Sequence, residues 1–179
     1  TLEFLQTLPL ALERSDLRIV HAAWIGDAIA AVRKVPAHGL QTSYSDWEMR
    51  AAERSQASNL QARMQEEQMR WPWSLEDKSH IPPMLHALAE HEANEQMLNP
   101  IKILTSGVER PSAAPFYTSG KWRFAERVAW WDEYGDDTPV VVGHYWRRLE
   151  EIDRAQVGKQ DVDLFEGVDP LTWHGKKGN

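Results

Sequence analysis

The sequence predicts an α/β fold with a helical middle segment, and three observations carry that expectation. Leu17-Arg18-Ile19-Val20 and Thr138-Pro139-Val140-Val141-Val142 are short runs rich in branched residues. Such side chains suit a pleated surface, and proline is tolerated at the first strand position, so both runs read as buried strands. Between them lies a long polar stretch, from about 45 to 99, with partial 3.6-residue periodicity. Each strand also ends in a histidine: His21 directly after the first, and Gly143-His144 after the second.

Composition narrows the function classes. A chain of 179 residues, 42% hydrophobic and with nine tryptophans, can bury one core, and it has no apolar run of membrane-spanning length. Twenty basic against 27 acidic residues give a net charge of −7, which argues against a surface for nucleic-acid phosphates. The absence of cysteine excludes disulfides, thiolate metal sites and thiol nucleophiles. With no signal-peptide pattern ahead of the first strand, a cytoplasmic location is the expectation. Thr1 at one end and the polar His174 to Asn179 turn at the other read as cut ends, so an incomplete domain is expected over 1–179.

Taken in order, Leu2, Phe4, Leu5 and Leu8 share one side of a short helix that Pro9 should end, and Ser15-Asp16 turns the chain into the first strand. Asp27 is the expected N-cap of a helix carrying Ile29, Val32 and Val35, closed by Pro36 and the Ala37-His38-Gly39 turn. Ser45-Asp46-Trp47-Glu48 has the form of a capping box and opens a polar helix to about Arg70, which Trp71-Pro72-Trp73 breaks. Its thin apolar stripe predicts a surface helix, an insert or lid. Pro82-Pro83 starts a further helix with Met84, Leu85, Leu88 and Met97, stopped by Asn99-Pro100. Within it, His86 and Glu90 are spaced i, i+4 as a metal pair could be and His91 follows, but no further ligand completes the set, and they read as surface residues. Ile101 to Thr105 alternates like a strand ending at Ser106-Gly107, Pro111 and Pro115 mark a loop, and Trp122, Trp130 and Trp131 are expected in the core.

The strand-end histidines carry the chemistry. A rigid strand end holds an imidazole at a fixed distance, as a metal ion demands, and the carboxyl edge of an α/β sheet is where ligands bind. Gly143 leaves room for close approach there. The expectation is that His21 and His144 share one sheet edge and one ion. Two imidazoles are an incomplete sphere, and no set of carboxylates in the chain stands out to complete it.

Val-His21-Ala-Ala-Trp, Arg127-Val128-Ala129-Trp130-Trp131-Asp132 and Val-Val-Val-Gly143-His144-Tyr145-Trp146-Arg147 resemble segments of the calcineurin-like metallophosphoesterases, in the protein phosphatase-like and symmetrical bis(5'-nucleosyl)-tetraphosphatase-like branch. In that family a His-Ala-Gly type segment and a later Gly-His segment hold the same metal. Ala23-Trp24 after the first histidine departs from this pattern. The resemblance implies a β-sandwich flanked by helices, two divalent ions (Mn, Fe, Zn or Mg), a phosphorylated substrate and hydrolysis of phosphate esters or anhydrides. It also implies that His21 and His144 are metal ligands. Arg127 is the candidate for a phosphate oxygen, which a guanidinium fork matches, with packing along the tryptophan-rich segment as its alternative. The family's Gly-Asp-x-His-Gly, Gly-Asp-x-x-Asp-Arg-Gly and Gly-Asn-His-Glu segments are absent, so the chain matches the later part of the domain and is expected to be inactive alone. The rival reading is a non-catalytic helical interaction module working through 45–98, with tryptophans as anchors.

Overall fold

The computed structural model describes residues 8–36, 38–145, 153–154, 161–169, 171–172 and 175. Five helices and two small sheets make it a mixed α/β arrangement among these residues. The three-stranded sheet has β1 (Ala11–Glu13), β2 (Arg18–Val20) and β5 (Val140–Val142), with β2 in the centre. β1 runs antiparallel to β2, while β5 runs parallel to it with Val20 opposite Val142. The strands at Leu17 and Val140 are therefore present and β1 joins them, but they are not the buried strands expected: of β2 and β5 only Val20 is buried, and Ile19 and Val141 face outward because the sheet is covered on one side. A two-sheet sandwich is not formed by the described residues, whose second sheet is the hairpin of β3 (Glu109–Thr118) and β4 (Lys121–Arg127). Of the expected first helix, Leu2, Phe4 and Leu5 lie outside the described residues, and Leu8 is an exposed residue in a bend.

α1 (Gly26–Arg33) buries Ala28 and Ile29. Its N-cap is Ile25 rather than Asp27, which instead lies in the first turn, where a carboxylate meets the positive end of the helix dipole. The expected long polar helix is two helices, α2 (Leu40–Ala57) and α3 (Leu60–Arg70). Asn59 breaks it with φ 51°, a left-handed conformation that asparagine tolerates better than most residues. The Ser45–Glu48 capping box is not used. Ser45 lies inside α2 and donates to the Gln41 carbonyl, while Glu48 accepts from Asn99 Nδ2 and Lys102 Nζ, each at 2.7 Å.

α4 (His86–Met97) follows the two prolines as the sequence predicts, and Glu67 of α3 caps it by accepting from the Ala87 and Leu88 amides at 2.8 and 3.1 Å. Ile101 to Thr105 is helical and not a strand: α5 (Pro100–Ser106) starts on the Asn99 side chain, which accepts from the Ile101 amide at 3.1 Å. Pro100 suits the first helical position because its missing N–H would be unpaired there anyway. Pro111 and Pro115 are likewise not in a loop but in β3, where a bulge between Pro111 and Phe116 takes up the lost donors. On the facing strand, the Phe124 and Ala125 amides turn to the Glu92 carboxylate at 2.9 and 3.0 Å. Ser119 and Gly120, both at positive φ, close the hairpin as a tight two-residue turn.

Two apolar clusters follow from this layout. Val20, Ala23, Trp24 and Ile29 pack with Ile103, Leu104, Trp130, Trp131 and Tyr134 beneath the three-stranded sheet. Leu85, Ala89, Trp122 and Phe124 form the other, between α4 and the hairpin. The three tryptophans expected in the core are all buried.

Candidate metal centre

His21 and His144 emerge from the carboxyl ends of adjacent parallel strands. The ladder that sets Val20 opposite Val142 continues into the centre, where the His21 carbonyl accepts from the Gly143 amide at 3.0 Å and the His144 amide at 2.8 Å. The backbone thereby fixes both Cα positions. His144 Nδ1 stands 3.3 Å from His21 Nε2, with the rings at 66° and their centroids 5.2 Å apart. Nitrogens bound to one ion at about 2.0–2.1 Å lie roughly 3–3.5 Å apart, so this pair matches two adjacent ligand positions.

The residues after His21 explain why the chain turns there. Ala22 and Ala23 are both 0% exposed. The Ala22 amide donates to the Leu104 carbonyl at 2.8 Å, and its own carbonyl accepts from the Trp130 indole at 3.1 Å. Larger side chains would not fit between the sheet and these partners. Ala23 and Trp24, where the sequence leaves the family pattern, are core residues packed with Trp130.

Burial first, and then neighbouring charge, favour the neutral form of His144. Burial holds its imidazole below the usual histidine range, and the Arg127 cation and then His21 push it the same way. A neutral imidazole keeps the lone pair that a metal needs. Arg127 ends β4 opposite Glu109 and is exposed, and its charge reaches His144, Tyr145 and Glu109. Burial raises the Glu109 carboxyl, with Arg127 opposing the shift. The three residues singled out in the sequence, His21, His144 and Arg127, thus belong to one neighbourhood. Tyr145, quoted in the Gly-His motif but given no role there, lies edge-on to the His144 ring at 5.3 Å and 89°.

The fit is partial. Among the described residues no group of three or more His, Cys, Asp or Glu side chains is arranged to hold a metal ion. His86, Glu90 and His91 stay apart from the centre, with Glu90 paired to Arg63 at 2.9 Å and His91 near Glu95 at 3.6 Å. No described helix is long and apolar enough to cross a membrane. Comparison with protein-family models, curated proteins and solved structures finds no match for this chain.

Proposed function

We propose that this chain carries the two-histidine portion of a calcineurin-like metallophosphoesterase centre, acting on phosphate esters or anhydrides when the remaining ligands are supplied. The observation that carries the reading is the 3.3 Å approach of His144 Nδ1 to His21 Nε2 at the ends of parallel strands. Divalent ions, if bound, would supply positive charge against phosphoryl oxygens and lower the pKa of a bound water. His21 and His144 would hold one ion, each through the nitrogen that faces the other ring. The exposed Arg127 guanidinium meets a phosphate oxygen and stabilises charge developing on it.

Zn²⁺ titration of the chain tests this reading. Binding by the wild type that is lost in both His21→Ala and His144→Ala supports it, and binding unchanged by both substitutions overturns it. The same chain should show no manganese-dependent hydrolysis of an aryl phosphate above background, because most ligands and the general acid of the family are missing from it. The interaction-module reading draws on α2, which buries none of its 18 residues fully. A partner captured through α2 by a chain that binds no Zn²⁺ would favour that reading.

A further inference from the structure

Tyr145 holds a costly position. Its hydroxyl is buried and makes no hydrogen bond of good geometry among the described residues, although the Val108 main chain and the Trp130 indole lie near it. Buried hydroxyls nearly always find a partner, so an exception calls for a reason. The reason lies in what the ring touches. On one side is Gly107, at φ 98° and ψ −168°, a conformation essentially restricted to glycine. A Cβ built at position 107 would stand 2.0 Å from the Tyr145 hydroxyl oxygen and 3.1 Å from Cζ. The bare Cα of Gly107 is therefore the seat of the hydroxyl.

That seat is itself fixed. The Gly107 amide donates to the Ile103 carbonyl at 3.0 Å, closing α5, and its carbonyl accepts from Gln96 Nε2 at 2.7 Å. Gln96, on α4, also donates to the Lys102 carbonyl at 2.9 Å. A second wall of the Tyr145 seat is Trp131, edge-on at 5.0 Å and 79°, and Trp131 is stacked on Phe165 at 5.1 Å. With Gly107 and Trp131 setting the Tyr145 ring, its contact with His144 limits how that imidazole can turn. Such a limit is needed, because His144 Nε2 is buried and has no hydrogen bond among the described residues that would otherwise set the ring.

We infer that Tyr145, seated on Gly107, is a positioning residue that aims His144 Nδ1 at the shared site with His21. The inference rests on the metal reading for its purpose but not for its geometry. Outer-shell groups that orient a ligating histidine commonly change metal affinity about 10–100-fold when removed. Here the orienting contact is a ring face and edge in place of the usual acceptor for the second nitrogen.

The test uses the full chain, with the His144 ring resonances assigned through His144→Ala, and Co²⁺ as the metal probe. Tyr145→Phe keeps the ring and should leave the His144 resonances and Co²⁺ affinity near wild type. Tyr145→Leu removes the ring and should weaken the NOE between the His144 and His21 rings, and weaken Co²⁺ binding about tenfold or more. Gly107→Ala should weaken that NOE too, and adding Tyr145→Phe should restore it in part, since deleting the hydroxyl removes the 2.0 Å clash while the 3.1 Å contact to Cζ and the strain of alanine at φ 98° remain. Should Gly107→Ala fail to fold, the Phe and Leu pair at 145 decides alone. The inference is overturned if Tyr145→Leu leaves the NOE between the His144 and His21 rings at its wild-type intensity, or if Tyr145→Phe weakens it as much as Leu does. Co²⁺ affinity indifferent to His144→Ala would sink the metal reading, while the ring-to-ring NOE of the metal-free chain would still decide whether Tyr145 orients the ring.

Discussion

His144 donates its backbone N–H to the carbonyl of His21 at 2.8 Å, so the two rings of the candidate centre are anchored through the main chain before either meets a ligand. His21→Ala should therefore leave the fold almost intact. The side chain is exposed, and such substitutions usually fall within about 0.5 kcal/mol. What it should remove is the thermal stabilisation by Zn²⁺, because a ligand that binds only the folded state raises the melting temperature. Melts of wild type and His21→Ala with and without Zn²⁺ read both effects.

The lowered His144 pKa predicts a pH dependence with a definite sign. An unfolded histidine titrates near 6.5, so below that pH the unfolded chain takes up a proton that the folded chain resists. Stability from this group is whole above about pH 6.5 and is lost as pH falls through the folded value. The raised Glu109 carboxyl acts in the opposite sense in the window above its ordinary 4.5. Urea unfolding from pH 7.5 to 5 should thus show a shallower loss in His144→Gln than in wild type, and identical slopes would refute the assignment.

Trp130→Phe tests the indole hydrogen bond together with the edge-on packing of the ring against Trp131 and Tyr134. Phenylalanine fills much of the indole's volume but leaves the Ala22 carbonyl without its 3.1 Å donor in a buried position. A loss of about 1–3 kcal/mol is expected from the stranded acceptor. Because Ala22 follows His21, the His21 ring resonances should shift as well, whereas a purely volumetric effect would leave them in place.

Glu67→Ala uncaps α4, whose Ala87 and Leu88 amides lose their acceptor. The expected cost is about 1 kcal/mol, within the usual range for a lost cap. Hydrogen exchange should quicken in the first turn of α4 with little change at His21, since that end of α4, with Leu85 and Ala89, packs into the hairpin cluster.

Leu12, Ile19 and Val141 lie side by side across β1, β2 and β5, and they are 52%, 39% and 46% exposed. An apolar row on a short sheet favours association between chains, and salt at physiological strength screens the −7 charge beyond about 8 Å. Light scattering should show concentration-dependent association that Ile19→Thr reduces. A chain that stays monodisperse at high concentration would contradict this.

Sequence alone determined the pieces whose signals are local. Val140 to Val142 and Arg18 to Val20 are strands because branched side chains and flanking turns leave little else for them to be, and Pro82-Pro83 and Asn99-Pro100 bracket α4 through the missing proline donors. It also marked His21, His144 and Arg127, each by its place at a strand end or beside a motif. Tertiary structure decided what local pattern leaves open. Ile101 to Thr105 satisfies both a strand and a helix spacing, and the Asn99 cap with Leu104 buried beside Ala22 selects the helix. Pro111 and Pro115 look like loop residues until Glu92, from α4, supplies an acceptor to the facing strand. The same holds for the role of Tyr145, because the seat at Gly107 lies 38 residues upstream and only packing brings the two together. Non-local pairing of this kind depends on chain closure over long separations, and no window of neighbouring residues contains it.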